Sequence, residues 1–312
     1  MIEIDRLTKR YGATAVVDEV AFTVPAGSIA AVVGASGSGK TTLLRMINRL
    51  VEPSAGRVRI DGQDFRALPV HELRRRIGYV IQSHGLFPHR TVAQNIATVP
   101  KLLGWDRARR RKRAGELLEL FQLDPATYAD RYPHELSGGQ QQRVGVARAL
   151  AAEPRLLLMD EPFGALDPII RTKAQDDLRA IQQRLGTTVI LVTHDMEEAI
   201  RLGDRIAVME AGRLLQYAPP NAILARPATA YVEALVATGD RPFRLLSLAP
   251  VAEAVEPGEA AGPPIAAGAT QREALAELMW SGRHAAPVTG EGETPIGIVT
   301  VKGLMDRARR PP

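Results

Sequence analysis

One short stretch constrains the fold more than any other, the segment GASGSGKT from Gly34 to Thr41. It fits the pattern G-x4-G-K-[ST] and lies between an apolar run, Ser28–Val33, and a helical pattern, Thr41–Leu50. In this setting glycines let backbone N–H groups approach phosphate oxygens closely, which disfavours a chance glycine-rich turn. The segment therefore predicts an α/β fold with a nucleotide phosphate site between a strand and a helix.

The side chains of this loop divide into phosphate ligands and a metal ligand. Lys40 supplies positive charge to the β- and γ-phosphates, and the Thr41 hydroxyl can hold Mg²⁺. The other loop residues expected to contact the nucleotide are Gly34, Ser36, Gly37, Ser38, Gly39 and Thr42. We therefore expect ATP and Mg²⁺ as the bound species.

Polar side chains follow three further apolar runs. Asp160 and Glu161 end the run LLLMDEP, where Asp160 would reach Mg²⁺ through water and Glu161 would orient and polarise the attacking water. Helix capping is the alternative for this pair, and the phosphate loop weakens it. His194 ends TTVILVTHD and could sense the γ-phosphate, although a lone histidine is more often structural. Gln82 ends GYVIQ and would mean little by itself.

A second candidate phosphate site lies in HELSGGQQQRVGVARAL, from His134 to Leu150. Ser137, Gly138 and Gly139 stand directly before a helical pattern, where free backbone N–H groups and the helix dipole favour an anion. This site has no lysine. The sequence therefore poses the question of why one chain has two phosphate-binding helix starts and only one phosphate lysine.

Composition excludes several classes of protein. The chain has 312 residues and no cysteine, which excludes disulfides and thiolate metal sites and suits a reducing compartment. No run of about 18 apolar residues predicts a membrane span, and the N-terminus lacks an apolar signal core. The net charge of +5 comes partly from Arg107–Arg113, typical of a solvated helix start or alternatively of a lipid or RNA contact. Aromatic residues at 4% disfavour nucleic-acid binding by stacking.

Apolar periodicity predicts an α/β core with a helical insert. The continuous runs LLLMD and TTVILVT are typical of strands buried on both faces of a parallel sheet, and RIAVMEAGRLLQYA predicts a hairpin around Ala211-Gly212. Helices are predicted over Pro100–Leu123, Gln140–Ala151 and Ile169–Leu185, the first two within a helical insert spanning about residues 85–154.

The sequence changes character near Pro219. Residues 241–269 are rich in Gly, Pro and Ala and are expected to form a flexible linker. Residues 270–312 predict helix, strand, strand and helix, hence a small α+β domain, with an alternative start near residue 246. We therefore expect a first domain over residues 1–240 and a second, much smaller one after the linker.

Taken together, these motifs resemble the ATP-binding cassette (ABC) family over roughly residues 1–240. LSGGQ, from Leu136 to Gln140, is similar to the family signature, Gln82 to its Q-loop, Asp167 to its D-loop and His194 to its switch histidine. Tyr11 in KRYG matches the aromatic residue that stacks on adenine. The resemblance implies a P-loop NTPase core with an antiparallel N-terminal β-subdomain and a helical subdomain. The resemblance also implies that Gln82 is a magnesium ligand in addition to Thr41 and Asp160, and that some of these residues bind the ion through water.

The resemblance also answers the question of the second phosphate site. In this family two cassettes meet head to tail, and the LSGGQ helix of one chain caps the γ-phosphate held by the lysine loop of the other. Ser137, Gly138, Gly139 and Gln140 would then bind a phosphate that the partner's lysine loop already holds. A homodimer joined by two ATP molecules is therefore expected, favoured because ATP binds the closed state better.

The segment after Gln82 narrows the resemblance to importers. SHGLFPHRTVAQNIATVPKLLGW is similar to ATPases of glycine betaine, choline, carnitine and proline importers, and an apolar cluster at Leu86, Phe87 and Pro88 would receive a short coupling helix of a permease. The implied partners are two transmembrane permease subunits and an extracytoplasmic substrate-binding protein, with no nucleic acid. The chain would lie peripherally on the cytoplasmic face of the inner membrane. The alternatives are an importer ATPase for an amino acid or sulfonate, and a soluble nucleic-acid-associated ABC ATPase. A pure nucleotide sensor is disfavoured by Glu161.

The tail resembles one cystathionine-β-synthase (CBS) repeat, of which the osmoprotectant ATPases usually carry two. The similar segment is TQREALAELMWSGRHAAPVTGEGETPIGIVTVKGLMDRA. Such repeats often have an acidic residue three positions after the Thr of GIVT, and here that position, counted from Thr300, is Gly303. We therefore do not expect the tail to bind an adenine nucleotide. We do expect it to pair with the tail of a second copy of the chain.

Overall fold

The buried apolar runs of the sequence form the inner strands of a six-stranded sheet in a computed structural model of the chain. The structure describes residues 1–81, 85–164, 166–237, 239–290, 292 and 294–309, and only the backbone of Ile169. Contacts divide the chain into two compact units, Met1–Pro219 and Pro220–Pro312. Each unit has its own core and is described by itself.

The central sheet of the first unit is parallel except at one edge. Its strands are β3 (Ile29–Val33), β6 (Ile77–Val80), β7 (Leu156–Asp160), β8 (Thr188–Thr193), β9 (Arg205–Glu210) and β10 (Arg213–Ala218). They lie in the order β10-β9-β3-β8-β7-β6, with β10 antiparallel to β9 through the predicted hairpin. Since β3, β8 and β7 are adjacent and parallel, their carboxyl ends meet at one edge of the sheet.

A smaller antiparallel sheet packs on the same core. It consists of β1 (Ile2–Tyr11), β2 (Thr14–Val24), β4 (Ala55–Ile60) and β5 (Gln63–Asp64) in the order β2-β1-β4-β5. Its apolar face shares one cluster with helix α1 (Lys40–Ile47), in which Ile4, Val20 and Leu44 are buried. Helix α2 (Val70–Arg76) precedes β6. Helix α1 ends earlier than predicted because Arg49 adopts a left-handed conformation, φ 54°.

Between β6 and β7 the described residues form helices. They are α3 (Val92–Ile96), α4 (Thr98–Leu102), α5 (Arg107–Leu120), α6 (Pro125–Tyr128) and α7 (Gly138–Leu150). The single helix predicted over Pro100–Leu123 was wrong. Gly104 takes φ 77°, and the Asp106 carboxylate accepts a bond from Arg109 N at 2.8 Å, so one helix ends and a new capped helix begins.

Two further helices flank the sheet, α8 (Pro168–Leu185) and α9 (Met196–Leu202). Leu178 and Ile181 of α8 join the cluster that contains Leu117, Val144 and Leu157, so α8 ties the helical region to the sheet. Within the part of the chain that the structure describes, no helix is both long and apolar enough to cross a membrane. The predicted α/β class is confirmed by the parallel sheet and the helices that flank it.

The second unit begins earlier than predicted and its first half is folded. Its helices are α10 (Pro220–Ala225), α11 (Ala230–Val236), α12 (Arg241–Leu246), α13 (Gln271–Trp280) and α14 (Val301–Arg307), and its strands are β11 (Ile265–Ala266), β12 (Ala285–Thr289) and β13 (Pro295–Thr300). The prediction of a flexible linker over residues 241–269 was wrong, because Leu246, Val251 and Ile265 are buried in one core with Leu275 and Val299.

Gly303 lies in the first turn of α14, beside the exposed side chain of Glu256. A Cβ built there would lie 2.6 Å from Glu256 Oε1, and the Gly303 N–H donates to Thr300 Oγ1 at 2.9 Å. The exposed Glu256 side chain would therefore have to shift to admit a side chain at position 303.

Candidate active site

The lysine of the glycine-rich loop is folded back onto the loop itself. Lys40 Nζ donates to Gly34 O and Ala35 O, each at 2.8 Å, and lies 3.5 Å from Ser38 Oγ. Gly39 adopts φ 96° as the residue before α1, a conformation that favours glycine. Burial lowers the pKa of Lys40, while the carboxylates of Glu161 and Asp160 act in the opposite direction. Loop carbonyl oxygens thus hold the ammonium group, which would have to exchange these bonds to bind a phosphate.

A hydroxyl from the loop and a carboxylate from the next-but-one strand lie together. Thr41 Oγ1 donates to Asp160 Oδ1 at 2.9 Å, and Asp160 is 6% exposed at the end of β7. Burial raises the pKa of Asp160, opposed mainly by the hydrogen bond from Thr41. Hydroxyl and carboxylate oxygens are the donors that Mg²⁺ prefers. Among the described residues no group of three His, Cys, Asp or Glu side chains could hold a metal, so an ion here would rely on phosphate and water oxygens as well.

The adjacent strands β7 and β8 bring Glu161 and His194 into contact. Glu161 Oε2 lies 3.3 Å from His194 Nδ1, and Glu161 N donates to Val192 O at 2.9 Å. Glu161 adopts φ 45°, a strained conformation for a residue with a side chain, of a kind often found at functional sites. The imidazole is 59% exposed, so it faces solvent at the same edge as the phosphate loop.

The signature segment begins helix α7 with a capping box. The Ser137 hydroxyl accepts from Gln140 N at 3.4 Å, and Gln140 Oε1 accepts from Ser137 N at 2.9 Å. Gln140 Nε2 also donates to Tyr128 OH at 3.1 Å, so these bonds stay within the helical region. Ser137 and Gly138 are exposed. The structure therefore places Asp160 and His194 at the ends of adjacent strands and Lys40 at the start of α1, and it leaves Ser137 and Gly138 of the signature exposed.

Three other predicted residues have different outcomes. Tyr11 ends β1 and is 54% exposed, with the Lys9 ammonium 4.9 Å from its ring centre. Asp167 is exposed and caps α8 by accepting from Ile170 N at 3.1 Å. Gln82 lies outside the described residues.

Sequence reasoning missed the side chains that hold the segment after Gln82. Asn95 is fully buried, accepts from Phe87 N at 2.7 Å, and donates to the carbonyl oxygens of Phe87, Arg90 and Thr91. Arg148 of α7 donates to Gly85 O at 2.6 Å, and burial lowers its pKa. The sequence offered one signal for this arrangement, the polar Asn95 on the apolar face of a short helix. Phe87 and Pro88 are exposed as predicted, whereas Leu86 packs partly against the core.

A basic groove of about 990 Å³ lies beside this segment. Its floor is made of small residues, including Ala93, Ala97 and Gly115. Its lining also includes five cationic side chains and one acidic residue, namely Arg90, Lys101, Arg107, Arg110, Arg111 and Asp130. The predicted solvated helix start at Arg107–Arg113 therefore contributes one wall of a concave surface.

Comparison with known proteins supplies a family. Residues 17–164 match the family model described as ABC transporter. The chain is 47% identical, over 99% of its length and 100% of the other's, to the glycine betaine uptake system ATP-binding protein YehX of Escherichia coli. It is 50% identical to the glycine betaine/carnitine/choline transport ATP-binding protein OpuCA of Bacillus subtilis, covering 82% of this chain and 66% of that one.

A solved structure matches the first unit in fold. The dimeric post-hydrolysis state of the ATP-binding cassette MJ0796, bound to ADP and Pi, has a TM-score of 0.62 and 35% identity, covering 70% of this chain and 99% of that one.

Proposed function

Because the chain belongs to the ABC transporter family and hydrolyses ATP, we propose that it powers uptake of a quaternary-amine osmoprotectant such as glycine betaine, choline or carnitine. The support for the solute is the named uptake system of the Escherichia coli relative, which this chain matches from end to end. The support for the chemistry is the meeting of Lys40, Asp160, Glu161 and His194 at adjacent strand ends.

Each of these side chains has a distinct proposed role. Lys40 leaves the loop carbonyls to bind the β- and γ-phosphates, and Thr41 and Asp160 hold Mg²⁺, with Gln82 as a further ligand. When bound there, Mg²⁺ would neutralise charge that develops on the phosphate oxygens. Glu161 orients and polarises water, and His194, already 3.3 Å from Glu161, contacts the γ-phosphate. Tyr11 stacks on adenine. Burial lowers the pKa of Lys40, and the negative charge of an incoming polyphosphate would act in the opposite direction.

The second half of each site comes from a partner chain. The capping box of Ser137 and Gln140 begins α7, the N–H groups of Gly138 and Gly139 lie in its first turn, and Asp167 is exposed at the start of α8. A dimer that binds two ATP molecules between its chains would use all of them. The dimeric MJ0796 cassette with ADP and Pi supports this arrangement for the matching 70% of this chain.

The basic groove and Phe87 are the proposed docking site for the permease. Small residues on the floor admit the backbone of a short helix, and the cationic lining favours one that carries carboxylates. Asn95 and Arg148 connect this site to the segment after Gln82 and to the signature helix. Two permease subunits, one per ATPase chain, and an extracytoplasmic binding protein would complete the importer, with this chain on the cytoplasmic face of the membrane.

The experiment that tests the solute uses the complete transporter in liposomes. This chain is co-purified with its permease and binding protein, and ATP turnover and uptake are measured with glycine betaine, choline, carnitine, a neutral amino acid and a sulfonate. Stimulation by a quaternary amine, lost in a Glu161→Gln complex, is the expected result. Stimulation only by the amino acid or the sulfonate would replace the osmoprotectant assignment while leaving the ATPase assignment intact.

A further inference from the structure

Arg171 on α8 joins two segments of the proposed site that are far apart in sequence. Its Nη2 donates to Leu166 O at 3.0 Å, one residue before Asp167. Its Nη1 lies 3.8 Å from Asp195 Oδ2, one residue after His194. A single guanidinium thus contacts the segment expected to face the partner chain and the segment that carries the switch histidine. The planar fork of an arginine makes such a double contact possible.

Asp195 is itself held firmly. Its Oδ1 accepts from Glu197 N at 2.8 Å and from Glu198 N at 3.4 Å, which caps α9, and its own N–H donates to Thr193 Oγ1 at 3.0 Å. One carboxylate oxygen is therefore committed to the helix, and the other faces Arg171. Any displacement of Arg171 would act on the backbone on both sides of His194.

A buried carboxyl group lies behind the same segment. Glu198 is 5% exposed, and its Oε1 and the Nε of Arg171 are both buried without a hydrogen-bond partner among the described residues. Burial, and secondarily the Asp195 carboxylate, raise the pKa of Glu198 to about 8; Glu161 acts in the same direction, and Thr193 and Arg171 oppose them. Near neutral pH the group is therefore mostly uncharged, which leaves Arg171 free to bond Leu166 and Asp195.

We propose that Arg171 is a positioning residue, which acts through Leu166 and Asp195 to keep His194 against Glu161 when Asp167 is docked on the partner chain. The geometry that carries this inference is the pair of contacts made by one guanidinium. The inference rests on the proposed roles of Glu161 and His194. It adds a connection within each chain between Asp167, which is expected to contact the partner chain, and the pair of Glu161 and His194.

The test compares two arginines of one helix. Arg179 of α8 makes the same kinds of contact, to Leu202 O at 2.9 Å and Asp204 Oδ1 at 2.6 Å, but away from both segments. In the full-length chain, Arg171→Lys is expected to lower the maximal rate of ATP turnover about tenfold, with unchanged ATP affinity in the single chain. Arg171→Lys and Arg179→Lys should shift the melting temperature by similar amounts, because each weakens one pair of contacts made by α8. Arg179→Lys should nevertheless leave turnover near the wild-type rate.

A double-mutant cycle separates positioning from general destabilisation. Asp195→Asn keeps a residue that caps α9 well but removes the charge that faces Arg171. It should lower turnover to a similar extent, and the Arg171→Lys/Asp195→Asn variant should be no slower than either single variant, because both break one link. Normal turnover in Arg171→Lys, equal loss in Arg179→Lys, or additive effects in the cycle would each overturn the inference.

Parallel assays of Glu161→Gln and His194→Ala test the proposed roles of these two residues separately from that of Arg171. If these variants hydrolyse ATP normally, the proposed roles of the two residues fail and the inference fails with them. If both are slow and Arg171→Lys is normal, only the positioning role of Arg171 is wrong.

Discussion

At the scale of single residues, Glu161 differs from its neighbour Asp160 in backbone and environment. Asp160 ends β7 with its carboxylate buried, whereas Glu161 turns at φ 45° and its side chain is 22% exposed beside His194. The two adjacent carboxylates therefore lie in different environments: that of Asp160 is buried and accepts from Thr41 Oγ1, and that of Glu161 is partly accessible beside His194.

Glu161→Gln should separate ATP binding from hydrolysis. The amide keeps the shape but lacks the carboxylate that orients water, so turnover should fall at least about a hundredfold while ATP still binds. Steady-state phosphate release and nucleotide binding to the purified chain measure the two effects. Lys40→Ala is the contrasting variant, since it should weaken ATP binding itself. Near-normal turnover by Glu161→Gln would show that another group activates the water.

Glu198 should make stability depend on pH. Its folded-state pKa of about 8 lies above the ordinary 4.5, so between these values the folded chain retains a proton that the unfolded chain has lost. Raising the pH through this window therefore lowers the free energy of unfolding, at most by about 1.4 kcal/mol per pH unit, and the loss levels off above pH 8.

Glu198→Gln, which has no proton to lose, should gain stability over the wild type as the pH rises from 5 to 8. Urea unfolding of both chains at a series of pH values measures the difference. Glu197→Gln, a change at an exposed neighbour on α9, should keep the wild-type pH dependence. Parallel curves for the wild type and Glu198→Gln would mean that Glu198 is ionised in the folded chain.

At the scale of secondary structure elements, the start of α7 serves two purposes. The Ser137 hydroxyl caps the helix through Gln140 N, while the N–H groups of Gly138 and Gly139 belong to the first turn, where an α-helix leaves them without intrahelical partners. The same residues that stabilise the helix locally therefore leave an anion site at its exposed end.

Ser137→Arg should abolish ATP-dependent dimerisation and hydrolysis while single-chain ATP binding survives, because the lysine loop is untouched. Thr270→Arg is the matched control. Thr270 is also a capping-box residue, accepting from Glu273 N at 3.2 Å, so the loss of cap stability of about 1 kcal/mol should be similar. Light scattering with ATP measures dimerisation. A Ser137→Arg chain that dimerises normally would contradict the head-to-tail account of the signature.

At the scale of the whole molecule, the second unit leaves apolar side chains in solvent. Trp280 is 93% exposed, Met279 66% and Met305 55%, on the two helices α13 and α14 that pack against each other. Large exposed apolar side chains of this kind often mark protein contacts. A small unit of this size also has a limited core of its own, so we expect it to pair with the second unit of another copy.

Trp280→Glu in the full-length chain should therefore weaken any self-association that does not require ATP. Ala261→Glu is the control, because it adds the same charge at an exposed position of the same unit outside α13 and α14. Sedimentation over a range of concentrations, without nucleotide, measures the association. Equal behaviour of the wild type and both variants would show that this face does not pair two copies.

The sequence by itself determined the features that depend on neighbouring residues. The glycine loop, the apolar runs that became β3, β7 and β8, and the helix start at Ser137 each follow from short-range spacing, because a loop, a strand or a helix start is specified within a few residues. The placement of Asp160 and His194 at one edge followed in turn, since parallel strands align their carboxyl ends. The long helix over Pro100–Leu123 failed because apolar periodicity outweighed Gly104 in the prediction.

The tertiary structure decided everything that depends on pairs distant in sequence. The bond from Arg148 to Gly85, the double contact of Arg171 and the burial of Glu198 involve residues whose types are common on helices and carry no local signal. The Gly- and Pro-rich composition of residues 241–269 likewise predicted a linker, yet a few apolar residues within it found partners in the core of the second unit. Local composition determines the conformations that a segment favours in isolation, and contacts with residues distant in sequence determine the conformation that it adopts in the folded chain.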